Sequence, residues 1–185
     1  RSFFKENDLS LPHSEVRYMA TLTTPCKVLD LGAGRGRNSF YLALQGYDVT
    51  ALDINAAHID AIEAVKAKTG LAIKSGLYDI NEAALNEKYD IIISTVVLMF
   101  CQRQRIADII KNMQECTNPE GINVIVCPVE TANSGSAEVP FKTFLRQGEL
   151  ADYYQGWDII KYNENPGHLH KTDANGNRIQ LNFAT

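Results

Sequence analysis

Three carboxylates and one glycine-rich stretch fall where a nucleoside carrying an amino acid would need them. Residues 30–36, Asp-Leu-Gly-Ala-Gly-Arg-Gly, sit between a short apolar run and a segment of helical character. Glycines at Gly32, Gly34 and Gly36 let the backbone approach a ligand closely and adopt left-handed conformations. Loops of this kind serve several nucleotides, so the spacing has to discriminate between them. A dinucleotide fingerprint places its third glycine three positions after the second, and here that position is Arg37. The Gly-Lys-Ser/Thr of a phosphate-binding loop is absent. Asp30 points the same way, because a carboxylate repels a diphosphate and attracts a cationic amino acid. The bland alternative is a tight strand-to-helix turn with no ligand.

S-adenosylmethionine meets these demands, since its methionyl part carries an ammonium, a carboxylate and a sulfonium. Asp30 and loop carbonyls suit the ammonium, through water, and the unpaired N–H groups of a helix start suit the carboxylate. Gly32, Ala33, Gly34, Arg35, Gly36 and Asn38 are the expected contacts around it. Asp53 lies about 20 residues past the first glycine, where an acid accepts hydrogen bonds from ribose hydroxyls. NAD enzymes use the same device, and capping the next helix is the structural alternative. Asp79 follows the third apolar run and is placed to accept the adenine amino hydrogens, although aspartate is common in turns. Ile54 and Ile80 offer apolar faces to the adenine. Thr95 and Val96 end the fourth strand, at the carboxyl edge where such ligands bind.

The elements that must position these groups alternate. Apolar strands are expected at 27–31, 48–52, 71–75, 89–94 and 122–126, and helices at 37–45, 55–68 and 103–114. Gly46 and Gly70 stand at helix-terminating positions, and Asn55 at a capping one. Such alternation predicts right-handed crossovers and a parallel sheet. The tail departs from it: 157–162 reads as a strand, and 168–172 and 178–183 flank Asn175-Gly176, a hairpin signal. A two-residue turn there would set Asp173 opposite Arg178 as a salt pair. It would also turn His170 to the side of Ile179, Leu181 and Phe183. The expected architecture is a doubly wound, mostly parallel α/β sheet of seven strands ending in an antiparallel hairpin. Residues 131–140 read as a surface loop or flap.

At 185 residues the chain suits one domain, 1–185, and its 45% apolar and 22% charged content is that of an ordinary folded enzyme. A net charge of −4 with scattered basic residues argues against nucleic acid as a partner. The longest apolar run is too short to span a bilayer, so no membrane is expected. Cys26, Cys101, Cys116 and Cys127 have neither metal-ligand nor redox-pair spacing, which fits a reducing cytoplasm and no metal. The chain opens on Arg1 and leaves room for an upstream segment or domain.

The glycine loop, the acids after strands two and three and the antiparallel end together resemble the class I methyltransferases, over 26–126. Members acting on nucleobase amino groups carry Asn/Asp-Pro-Pro-aromatic after strand four. This chain has Ser94-Thr-Val-Val-Leu-Met-Phe100 instead, which points to a small-molecule acceptor. A narrower resemblance covers nearly the whole chain. His13-Ser-Glu-Val16, residues 30–39, residues 94–100 and Thr172-Asp-Ala-Asn-Gly-Asn-Arg178 are similar to the TehB-type tellurite-resistance methyltransferases. That resemblance implies methyl transfer from S-adenosylmethionine to tellurite, and to selenium oxyanions, with S-adenosylhomocysteine as product. It also implies that His170, Lys171 and Arg178 hold the oxyanion, with His13 a helper over the cofactor mouth.

Two departures stand out. Lys171 replaces an expected Arg, keeping charge but losing the planar fork, and Ala33 replaces a frequent Cys. A soft lone pair on tellurium or selenium needs no strong base, so alignment and exclusion of water should carry the catalysis. Competing readings are a methyltransferase for another O, N or thiol acceptor and a non-catalytic S-adenosylmethionine-binding module. For the former, Phe141, Phe144, Tyr153 and Tyr154 would line a pocket rather than pack the core. An NAD oxidoreductase is disfavoured by Asp30 and Arg37.

Overall fold

The short apolar runs become the strands of one sheet: β1 (Lys27–Leu31), β2 (Asp48–Asp53), β3 (Lys74–Leu77), β4 (Tyr89–Thr95), β5 (Thr117–Val129), β6 (Pro166–Thr172) and β7 (Arg178–Ala184). The computed structural model describes residues 2–132, 134 and 139–185, so the 131–140 flap lies partly outside the described residues. The strand order is β3-β2-β1-β4-β5-β7-β6. β1 to β5 run parallel, β7 is antiparallel to β5, and β6 closes the edge against β7. The order reverses between β1 and β4, and ligands of open α/β sheets bind at the carboxyl ends beside such a switch point.

Helices cover both faces: α1 (Ser2–Glu6), α2 (Ser14–Leu22), α3 (Arg37–Leu44), α4 (Ala56–Thr69), α5 (Ile106–Glu115) and α6 (Glu149–Tyr153). β4 shows why its apolar run is unbroken. Ile92 packs with Leu29, Leu31 and the α5 residues Ile106, Ile109, Ile110 and Met113 on one face. Ile91 and Ile93 pack with Val28, Phe40, Ile62, Val16 and Met19 on the other. α5 presents one apolar stripe at helical spacing, and it begins after a 3-10 turn at Arg103–Arg105 rather than as one helix from 103. Asn55 caps α4 by accepting the Ala57 N–H at 2.9 Å, and Gly70 ends it at φ +72°.

Three expectations about the elements need correction. The third strand is Lys74–Leu77 rather than 71–75, because Leu71 and Ile73 are drawn into the core under α4 before pairing begins. Residues 157–162 form no strand, for β5 already has β4 on one side and β7 on the other. There Trp157 packs edge-on against Tyr154 at 5.2 Å, and Lys161 pairs with Glu15 at 2.9 Å. The hairpin turn is not Asn175-Gly176 alone: the ladder opens at Thr172↔Arg178, and residues 173–177 form the loop. Asp173 turns inward to that loop, its Oδ1 accepting the N–H groups of Asn175 at 2.8 Å and Asn177 at 3.0 Å. Arg178 accordingly meets backbone carbonyls rather than Asp173.

Candidate active site

The glycine loop lies over the carboxyl ends of β1 and β2. The N–H groups of Gly32 and Ala33 both reach the Leu52 carbonyl, at 2.8 and 2.9 Å, which ties the loop to β2. Gly32 has φ +79°, and a Cβ there would meet the Val97 side chain at 2.3 Å, so nothing larger than glycine fits. Gly34 differs. It is also left-handed, at φ +55°, but nothing lies within 4 Å of where its Cβ would be. Its backbone faces open space, as a ligand cradle must.

Asp30 is 1% exposed on β1, and the Ser39 hydroxyl of α3 donates to its Oδ2 at 2.6 Å. Burial pushes its carboxyl up to about 6, with Ser39 and then Arg37 pulling the other way. Asp53 is equally well placed. Its Oδ2 accepts the Gly34 N–H at 2.8 Å, its Oδ1 accepts the Asn55 N–H at 2.9 Å, and His58 Nδ1 lies 3.0 Å from Oδ1. The carboxylate thus both braces the loop and borders it. Asp79 accepts the Asn81 backbone N–H at 2.9 Å, capping the 3-10 turn Ile80–Glu82.

Beside these acids Ile54 is 66% exposed and Leu77, paired with Asp53 across β2 and β3, is 64% exposed. They offer exposed apolar surface beside the acids. Ile80 does not. It is buried in the core with Leu29, Leu31 and Ile92, so the apolar face expected of it falls to Leu77. Leu77 ends a strand on an exposed side, a signal the sequence offered only once the register of β3 was known. The Arg35 side chain also leaves the site for an ion pair with Asp8 at 3.1 Å, so only its backbone borders the loop.

At the end of β4, Thr95 accepts the Asn38 side-chain N–H at 3.0 Å, and Asn38 Oδ1 accepts the His13 N–H at 2.8 Å. Val96 follows at φ +50°, a strained conformation for a β-branched residue, set where β1 and β4 diverge. His13 caps α2: its Nδ1 accepts the Glu15 N–H at 3.2 Å, which puts the ring proton on Nε2. Burial, then Arg37, lowers its pKa, so the ring is neutral near pH 7.

A cleft of about 630 Å³ opens beyond Val96 and His13. Arg37, Lys161, Lys171, His168 and His170 stand on its walls, and Val96, Met99, Phe100, Phe141 and Phe183 form apolar surface within it. His170 and Lys171 are exposed residues of this cleft. His170 does not share the side of Ile179, Leu181 and Phe183; Leu169 packs there instead. Arg178 is not among the lining residues. His168 was missed, though it stands two positions before His170 on the same strand; Arg37 and Lys161 carried no local pattern.

The four aromatics that the organic-acceptor reading would gather at one pocket are split, and core packing accounts for Tyr153 and Tyr154. Phe141 and Phe144 stack at 5.9 Å beside the hairpin, while Tyr153 and Tyr154 pack against the α5 side of the core. Burial pushes the Cys101 thiol up to about 11 and the Cys127 thiol up to about 12, leaving both as neutral packing groups.

The donor set fits S-adenosylmethionine: a buried carboxylate for an ammonium, an open glycine cradle, and an acid beside exposed apolar side chains for a nucleoside. Comparison with known proteins agrees. The chain is 49% identical over 183 residues to the "Probable S-adenosyl-L-methionine-dependent methyltransferase TehB" of Haemophilus influenzae (strain 10810), covering 99% of this chain and 64% of that protein. The crystal structure of TehB from Haemophilus influenzae superposes with a TM-score of 0.94 at 48% identity, over 98% of this chain and 63% of that one. Magnesium protoporphyrin IX methyltransferase from Synechocystis, solved with bound S-adenosylhomocysteine, shares the fold at 15% identity and a TM-score of 0.66, over 97% of this chain and 81% of that one. The chain thus spans a little under two thirds of its Haemophilus relative. The family model of the tellurite resistance protein TehB matches residues 1–185, and the chain belongs to that family.

Proposed function

We propose that this chain transfers a methyl group from S-adenosylmethionine to tellurite, and to selenium oxyanions, making them less toxic. The observation that carries this reading is the cleft beside Val96, walled by Arg37, Lys171 and three histidines, with Lys161 paired to Glu15 at its side, a setting for an anion. S-adenosylmethionine supplies, when bound, a methyl group on a sulfonium that departs as a neutral thioether. Asp30 and the Gly34 backbone hold the amino-acid end, and Asp53 and Asp79 hold the ribose and adenine. Asn38 fixes the end of β4 against the start of α2, so the mouth between cofactor and cleft keeps its shape. His170, Lys171 and His13 then orient the oxyanion so that a chalcogen lone pair meets the methyl carbon in line. The lone pair would take up the methyl group as the carbon–sulfur bond breaks, so these residues need remove no proton from the acceptor.

The apolar surface of Phe100, Phe141 and Phe183 favours a second reading, an organic anion or thiol acceptor with a hydrophobic body. One experiment separates them. Purified protein with S-adenosylmethionine is given tellurite, selenite or an aromatic thiol in parallel, with S-adenosylhomocysteine and the methylated acceptor in solution measured. Turnover of the oxyanions is expected, falling at least about tenfold when His170 and Lys171 are both alanine. Turnover of the thiol alone would transfer the cleft to the second reading, and none with any acceptor would leave a binding module.

A further inference from the structure

The ladder between β6 and β7 is regular from Pro166↔Asn182 to His168↔Gln180 and resumes at Thr172↔Arg178. Leu169, His170 and Lys171 therefore stand opposite Ile179 alone, a bulge larger than the usual single extra residue. In unbroken β alternation Lys171 would follow Leu169 inward. The bulge changes this: Leu169 packs against Val126, Ile179, Leu181 and Phe183, while His170 and Lys171 are both exposed and both line the cleft.

Such a bulge takes backbone groups out of the ladder and leaves carbonyls open to other donors. Arg178 provides them. Its Nε donates to the Leu169 carbonyl at 2.8 Å and its Nη2 to the His168 carbonyl at 3.2 Å, one planar fork on two consecutive peptides. The bulge is also pinned at both ends. Gly167 lies against the Phe183 ring, where a Cβ would come within 2.9 Å of a ring carbon. Asp173 closes the loop beyond it through the N–H groups of Asn175 and Asn177.

We propose that Arg178 is a positioning residue, acting on the acceptor through the β6 bulge that presents His170 and Lys171 rather than binding the anion itself. The proposal rests on reading the cleft as the acceptor site. Two measurements on wild type, Arg178→Ala, Arg178→Gln and Arg178→Lys test it, each with S-adenosylhomocysteine affinity as a check on the cofactor half. Amide hydrogen exchange across 168–172 is expected to quicken about tenfold or more in Arg178→Ala, and less in Arg178→Gln, which keeps a neutral N–H donor. Tellurite kcat is expected to follow that protection across the series, with the KM for S-adenosylmethionine unchanged. Exchange identical to wild type in Arg178→Ala, with a raised tellurite KM that Arg178→Lys restores and Arg178→Gln does not, would overturn it in favour of direct anion contact. Should the alanine variant not fold, the glutamine and lysine variants alone decide between charge and fork. A wild-type protein inert to tellurite would refute the acceptor reading, while the exchange data would still show whether Arg178 holds the bulge.

Discussion

Asp30 is buried against α3 with the Ser39 hydroxyl as partner, and its carboxyl titrates at about 6 instead of the ordinary 3.8. The folded chain keeps that proton over a range of pH where the unfolded chain has already lost it. Stability contributed by this group therefore increases as pH falls through 6 and is absent above it. Holding the ionised form costs on the order of 3 kcal/mol at neutral pH. Asp30→Asn removes that cost while an amide oxygen still accepts from Ser39. The expected result at about pH 8 is a higher melting temperature without ligand, together with weaker S-adenosylhomocysteine binding, read by calorimetry. An ammonium in the site favours the ionised form. In the native chain the dissociation constant for S-adenosylhomocysteine should thus rise toward tenfold per pH unit below about 6, and Asp30→Asn should flatten that slope.

At the scale of elements, Asn38 is the joint. One amide links the start of α2 to the end of β4 through His13 and Thr95, two elements far apart in the chain. Asn38→Ala leaves a buried Thr95 hydroxyl and the His13 N–H without that partner, at a cost of about 1–3 kcal/mol. Methyl transfer should suffer more than cofactor binding does, a kcat-against-Kd split that parallel turnover and calorimetry would show. The sequence already told of Asp30, Asp53 and the glycine loop, because strand ends, loop spacing and acid chemistry are local. It told of both faces of β4 through an unbroken apolar run. It could not tell that Ile80 turns to the core and Leu77 outward, since the register of β3 depends on where α4 lets the chain go. Nor could it show the bulge: Asn175-Gly176 suggests a tight turn, but Asp173 makes a wider loop. Residues 157–162 have a strand's composition, yet Trp157 and Lys161 are held by Tyr154 and Glu15 rather than by a sheet edge.

Across the whole molecule, charge is unevenly used. The chain carries a net −4, yet Arg37, Lys161 and Lys171 gather at one cleft beyond the switch point, with Glu15 paired to Lys161 among them. An anion approaching that cleft is guided by a local field that salt screens, with a Debye length of about 10 Å at 0.1 M. Raising ionic strength from about 0.05 to 0.5 M should lift the tellurite KM several-fold and leave S-adenosylhomocysteine affinity nearly unchanged, since Asp30 is shielded from solvent. Steady-state kinetics at several salt concentrations would check it.

The strand bearing His168, His170 and Lys171 is the outermost of the sheet and is hydrogen-bonded to β7 alone. Its backbone is therefore one strand removed from the five parallel strands, which it touches through the Leu169 side chain on Val126. Under the proposed function, a lineage could change the acceptor by editing that ribbon, provided the alternate β7 side chains Ile179, Leu181 and Phe183 keep their seat on Val126. Under the proposed function this separation would give an engineer a cassette, with acceptor contacts on the β6 ribbon and cofactor contacts around residues 30–36.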